Sequence, residues 1–295
     1  MGKELLVNVF VVCYNHANFI EECLRSVFEQ TYKNIEVYVI DDASTDNTDQ
    51  IIENLKEKYN FNYIKNIENK GLVRNLNLYL PKYAKGDFVC LVAADDKWTN
   101  DKIEKQVNFL VNNPDIAACW ANVYVIDNKS NIISILKDEK NTYSFEECLT
   151  NNHSLPALTM MIRNEVLKSI NYYDENYLIE DWYLILKLLY NNYKIYKLGD
   201  ILGFYRIHEN NIHKKSLWLY YEQKKILEIY NKHKLYHKAK RKIVKTWYPN
   251  IVIFDKKESL KNIFLAFEFS LSYLKSLIKL CIPIKIFKIL KKIKV

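Results

Sequence analysis

The sequence predicts an α/β fold: a mostly parallel central sheet flanked by helices, followed by a helical, basic C-terminal extension. Three observations carry this reading. Short apolar runs alternate with amphipathic stretches of helical length, the pattern of βαβ units. Two of those runs end on paired acids, Asp41-Asp42 and Asp95-Asp96. Charge is also divided along the chain. Residues 214–295 hold 21 Lys and Arg against 5 Asp and Glu, whereas residues 1–213 carry a net −8.

Taken in order, Leu5–Val12 is a first strand that ends in the turn Cys13-Tyr14-Asn15-His16. Phe19, Ile20, Cys23, Leu24, Val27 and Phe28 share one face of a helix over 18–30. Ile35–Ile40, rich in β-branched residues, is a second strand. Asp46 is placed to cap a helix starting near Asn47. Phe61–Lys65 is a brief third strand, and Gly71 opens a turn into a helix over Leu72–Tyr83. The run 87–94 is a buried strand, from which Lys97–Asn100 leads into a helix over 102–112 with Thr99 as its cap.

Ile116–Asp127 and Ile132–Leu136 form a hairpin. Leu158–Ile162 is a strand and Asn164–Ile170 a short helix. Tyr172–Ile179 is an aromatic, acidic loop before a helix over Glu180–Tyr190. Tyr193–Ile207 reads as two short strands broken at Gly199-Asp200, and from 215 on the chain is helical. The charge shift sets the boundary: a catalytic domain over 1–213 and an extension over 214–295.

At 49% hydrophobic residues the 295-residue chain can bury a large core. The six cysteines are scattered without a Cys-x-x-Cys pair, which reads as buried thiols in a reducing, cytoplasmic setting. The N-terminus runs straight into a strand, so no signal peptide is expected. No uncharged apolar stretch is long enough to span a bilayer.

Acids at the ends of different parallel strands converge on the carboxyl edge of a sheet, where open α/β folds bind ligands. Paired carboxylates there can hold a divalent cation against a diphosphate. Singly, each feature has a plainer explanation: Asp41-Asp42 as a solvated turn, Glu180-Asp181 as acids favouring a helix N-terminus, Arg74 and His208 as ordinary surface or loop residues. Their order changes the weighing. Val11-Val-Cys-Tyr-Asn15, Glu21-Glu-Cys-Leu-Arg-Ser-Val-Phe-Glu-Gln-Thr-Tyr32 and Val39-Ile-Asp-Asp-Ala-Ser-Thr-Asp-Asn-Thr48 come first. Asn69-Lys-Gly-Leu with Arg74-Asn75, Asp95-Asp96, Ile179-Glu-Asp-Trp and Tyr205-Arg-Ile-His208 follow.

Over residues 5–210 this series resembles the family 2 glycosyltransferases of GT-A fold, with a Rossmann-like nucleotide-binding half. The resemblance implies sugar transfer, with inversion, from a nucleotide-diphosphate donor, usually a UDP-sugar, to an acceptor hydroxyl. It places Tyr14, Asn15, Asp41, Asp42, Arg74 and Asp95 around the donor nucleotide. It makes Asp96, with Asp95 and His208, the holders of Mn²⁺ or Mg²⁺. Asp181 becomes the general base, with Glu180 as its support or substitute.

Two departures stand out: Ala93 where many members have Asp, and Ala43 where Gly is usual. The Gln-x-x-Arg-Trp motif of processive synthases is absent, so single additions are expected. A nucleotidyltransferase would call for a Gly-rich basic loop after the first strand, which is missing. A non-catalytic scaffold of the same fold is the other alternative. The expected partners are a nucleotide-sugar and a glycan or lipid-linked acceptor of a bacterial cell-surface glycan. A homodimer partner is also considered, and nucleic acid is not expected. Leu260, Ile263, Phe264, Phe267, Leu271, Leu274 and Ile278 trace one helical face, and 284–295 is apolar and basic. This stretch, 260–295, either packs on the protein or lies on the inner face of the cytoplasmic membrane.

Overall fold

A computed structural model describes residues 5–150, 153–208, 216–267 and 271–281. It divides into two compact units, Met1–Phe145 with His153–Glu209 and Glu146–Asn152 with Asn210–Val295.

In the first unit, β1 (Val7–Cys13), β2 (Ile35–Asp41), β3 (Asn62–Lys65) and β4 (Phe88–Ala93) form a parallel block in the order β3-β2-β1-β4. Register sets Cys13 beside Asp41 and Val12 beside Ala93. Both acid pairs therefore leave the sheet at the same edge. The connecting helices are α1 (Ile20–Phe28), α2 (Thr48–Lys56) and α3 (Leu72–Tyr83). Ile20, Cys23, Leu24 and Val27 of α1 are buried. Each such aliphatic side chain contributes about 1.5–3 kcal/mol over an exposed one. The carboxylate of Asp46, the expected cap, accepts the Thr48 N–H at 3.0 Å from one residue ahead of the capping position, since the N-cap of α2 is Asn47 and carries no side-chain cap.

The chain continues through β5 (Lys97–Trp98), α4 (Lys102–Asn112), β6 (Ile116–Ile126), β7 (Ile132–Leu136), α5 (Phe145–Leu149), β8 (Met161–Arg163), α6 (Asn164–Ser169), α7 (Glu180–Tyr190) and β9 (Lys194–Arg206). Beyond β4 the sheet runs β8-β6-β9-β5, with β7 hydrogen-bonded to β6. Here direction mixes: β6 and β9 are parallel, while β4–β8, β6–β8, β6–β7 and β5–β9 are antiparallel. All five residues of β7 are exposed.

Three local expectations are corrected and one short strand is added. Lys97-Trp98, ahead of the expected helix over 102–112, pairs with Phe204 and Gly203 as β5. Thr99 does not cap α4; its hydroxyl donates to the Asp101 carboxylate at 2.7 Å. Leu158 is not in a strand: Ala157–Thr159 is a 3-10 turn after Pro156, and the Thr159 hydroxyl donates to the carbonyls of Pro156 and Ala121. Gly199-Asp200 does not break β9, because the irregularity is absorbed opposite Trp120–Asn122, where Asn122 Nδ2 donates to the Gly199 carbonyl at 3.0 Å.

The described residues of the second unit are mostly helical. They include α8 (Ser216–Glu228), α9 (Tyr236–Phe254), α10 (Lys256–Lys261), α11 (Ile263–Ala266) and α12 (Leu271–Cys281). Glu258 ties them together, accepting from Tyr220 Oη at 2.8 Å, Lys224 Nζ at 2.7 Å and Asn262 Nδ2 at 3.0 Å. The single helical face expected from Leu260 onward is instead shared among α10, α11 and α12, because the chain turns at Asn262 and again at Phe267. Leu260, Phe264, Leu274 and Ile278 are all more than half exposed. The expected segment beyond Pro283 lies outside the described residues. No described helix is long and apolar enough to cross a membrane. Cys13, Cys23, Cys90, Cys119 and Cys148 are buried and form no disulfide, as expected.

Candidate active site

The end of β2 is a hydrogen-bonded knot. Asp42 is buried. Its Oδ1 accepts from Lys70 N–H and Asn66 Nδ2, and its Oδ2 from Gly71 N–H, each at 2.8 Å. Burial raises the Asp42 pKa, but the bonds from Lys70, Asn75, Asn66 and Gly71 outweigh it and hold the carboxyl below its ordinary value. Gly71 is suited to the knot because its φ of +80° is costly for other residues. Asp41, also buried, accepts from the Ser44 N–H and hydroxyl.

Asn15 braces the same loop from β1. Its Oδ1 accepts the Thr45 N–H at 2.7 Å and its own N–H donates to Ser44 Oγ at 2.9 Å. Tyr14 is 44% exposed at this edge. Arg74 is exposed on α3. Ala43 sits at φ +62°, the left-handed region that glycine favours. Ala43→Gly is therefore expected to raise stability by about 0.5–1 kcal/mol, net of glycine's extra unfolded-state freedom. Urea unfolding checks this.

The end of β4 is organised by a residue to which the sequence analysis gave no role. Arg206, fully buried, donates its N–H to Asp96 Oδ1 at 2.8 Å and its Nε–H to the Asp95 carbonyl at 2.7 Å. Its other guanidinium nitrogens reach Asp127 O, Ser130 Oγ and Glu22 Oε2. Glu22 also pairs with Lys97 at 2.5 Å. Burial raises the Glu22 pKa, but Lys97, Ser130 and Arg206 outweigh it and lower the carboxyl overall. Arg206 thus fixes where both strand-end acids stand. The signal was present as the Arg of Tyr205-Arg-Ile-His208, but its partners lie far away in sequence.

His208 bonds Asp95 Oδ2 through Nε2 at 2.9 Å. His16 packs edge-on to His208 with ring centroids 6.4 Å apart, and its buried Nδ1 has no hydrogen-bond partner. Burial holds His16 below the usual imidazole value. Asp96 is pushed well above the carboxylate range by burial and by Asp95. A buried acid that resists ionisation beside a second acid calls for a positive charge, and its oxygen donors suit Mg²⁺ or Mn²⁺. Among the described residues no three His, Cys, Asp or Glu side chains are grouped to hold a metal by themselves.

Asp96 also faces a recess whose lining includes Glu180 and Asp181. The α7 N-terminus delivers these two acids, and Asp181 Oδ1 accepts the Trp182 N–H at 2.6 Å. The preceding loop is clamped to α3 by paired bonds between Asn77 and the Tyr173 backbone. Burial and the Asp181 charge push Glu180 up to about 8 from 4.5. The native state therefore keeps a proton that the unfolded chain loses between these values, so ionisation as pH rises through this window destabilises the fold. Glu180→Gln is expected to match the parent's melting temperature below pH 4.5 and exceed it at pH 9. Equal melting temperatures across the range would contradict it.

The geometry thus gathers Asp96, Glu180 and Asp181 around one recess, with Asp42 and Tyr14 farther along the same sheet edge. This is the arrangement of a nucleotide-dependent transferase on a GT-A fold. A family model described as glycosyl transferase family 2 matches residues 8–170, and the chain belongs to that family. It is 30% identical over 214 residues to the UDP-Glc:alpha-D-GlcNAc-diphosphoundecaprenol beta-1,3-glucosyltransferase WfgD of Escherichia coli, spanning 71% of this chain and 80% of that one. It is 28% identical over 230 residues to an uncharacterized glycosyltransferase of Methanocaldococcus jannaschii, spanning 74% and 78%. Among solved structures, S. aureus TarS in complex with UDP-GlcNAc aligns with a TM-score of 0.64 at 21% identity, covering 92% of this chain and 79% of that one. The mannosyltransferase PcManGT from Pyrobaculum calidifontis, in complex with GDP-Man and Mn²⁺, aligns at 0.62 and 16%, covering 95% and 86%.

Proposed function

We propose that residues 1–213 form an inverting, metal-assisted catalytic domain that moves a sugar from a UDP-sugar to a hydroxyl of a lipid-linked glycan acceptor. The observation that carries this is the recess that Asp96, Glu180 and Asp181 line together. Tyr14 stacks on the base, Asp42 accepts its N–H through the spare lone pair of Oδ2, and Asn15 and Asp41 keep that loop in shape. Asp95 meets the ribose, and Arg74 and His16 face the diphosphate. A cation would be held by Asp96, supported by Asp95 and His208 and completed by the donor's diphosphate oxygens, and it would neutralise charge on the departing diphosphate.

The acceptor oxygen attacks the anomeric carbon from the Asp181 side. Asp181 takes its proton as the new C–O bond forms, the bond to the diphosphate breaks, and UDP leaves. Glu180, protonated at neutral pH, limits the negative charge around Asp181. Calorimetry of UDP with and without Mn²⁺, followed by a donor-hydrolysis screen, tests the reading. Absence of UDP binding in both conditions would refute it.

The extension over 214–295 is read as a peripheral membrane contact at the cytoplasmic face. Exposed Leu260, Phe264, Leu274 and Ile278 stand among Lys257, Lys261, Lys275 and Lys279. Apolar side chains flanked by lysines suit an anionic bilayer surface. Phe264→Ser with Ile278→Ser is expected to reduce flotation with phosphatidylglycerol vesicles; undiminished flotation would exclude this surface.

A further inference from the structure

The recess that joins Asp96 to Glu180 and Asp181 is apolar over most of its remaining wall. Leu72 and Leu76 of α3, Leu184 of α7, Met160, Ala93 and Ala157 face it. Ala93 and Ala157 are exposed at this wall, whereas Leu76, Met160 and Leu184 are buried behind it. A hexose with its anomeric carbon between Asp96 and Asp181 brings several hydroxyls into this space. A hydroxyl pressed against Leu72, Ala93 or Ala157 gives up its water bonds without replacement. At residue 93, where many members of the family carry a carboxylate, there is only a methyl group, so the strand side offers no side-chain acceptor in that place.

We propose that this wall selects a donor sugar bearing a methyl-terminated substituent, with Leu72, Ala93 and Ala157 as the specificity-determining contacts. The inference rests on the UDP-sugar reading above. Two substituents supply such a methyl: an acetamido group on the ring, or the terminal carbon of a 6-deoxy sugar. Both exchange a hydroxyl that would be stranded for carbon that packs. The discrimination comes from the penalty on the hydroxylated donor as much as from the added contact.

The test measures kcat/KM for donor hydrolysis by the full chain with Mn²⁺, comparing UDP-glucose, UDP-N-acetylglucosamine and UDP-6-deoxyglucose. Calorimetry with UDP alone runs beside it. One of the methyl-bearing donors is expected to exceed UDP-glucose by roughly 10–100-fold, and which one does so identifies the substituent. Leu72→Asn and Ala93→Ser, both at exposed positions, are expected to shrink that ratio several-fold while UDP affinity stays unchanged. UDP-glucose used as well as, or better than, both other donors overturns the selectivity while leaving the enzyme class intact. Failure to bind UDP overturns the donor reading and the selectivity with it. An unaltered ratio in both variants removes these residues as its source.

Discussion

The expected result for Asp181→Asn is loss of sugar transfer by about 10³-fold or more, at the upper end of what a positioned general base contributes. Donor affinity should hardly change. Asparagine keeps the size of the side chain and can still accept the Trp182 N–H through its amide oxygen, so the start of α7 is preserved. What disappears is the capacity to take the acceptor proton. The comparison that decides the matter is Asp181→Asn against Glu180→Gln. Transfer by the latter should survive, because Glu180 is pushed up to about 8 and already protonated at neutral pH. If Glu180→Gln is silent in transfer and Asp181→Asn is nearly as active as the parent, the assignment of the base is wrong.

Asp96→Asn is expected to separate stability from activity. In the metal-free protein the substitution removes a carboxylate that burial and Asp95 push well above its ordinary range, so the variant should melt at or above the parent's temperature. With Mn²⁺ and UDP the order should reverse. The parent gains about 2.7 kcal/mol when ligand stands at 100 times its dissociation constant, and the variant gains much less. Turnover should drop by about 10²–10³-fold, as when a preorganised stabiliser of developing charge is removed. Thermal shift with metal alone, UDP alone and both resolves these contributions. A variant stabilised as fully as the parent by the pair would show that Asp96 does not hold the cation.

Much of this arrangement was legible in the sequence because it depends on local rules. An apolar run that stops on Asp-Asp reports a strand and its carboxyl edge at once, and this local pattern alone puts Asp41, Asp42, Asp95 and Asp96 at one edge. The helix start at Glu180 was equally plain. What escaped was whatever depends on distant partners. β5 is two residues long and exists only because β9 runs beside it. Arg206 gains its meaning from Glu22, 184 residues away, and from a hairpin turn at Asp127 and Ser130. No periodicity in the neighbourhood of Arg206 announces such a contact. The apolar lining of the recess was hidden for the same reason, since α3, β4, α7 and the turn before β8 each contribute only one to three residues.

The knot at Asp42 has a consequence for how nucleotides are told apart. Its carboxylate is ordered by three bonds before any ligand arrives, so little conformational entropy is lost when a base docks. A preset edge of this kind does not mould itself around a poor match. Wrong bases should reach the protein nearly as fast as the right one and leave sooner, so nucleotide preference should reside in residence time.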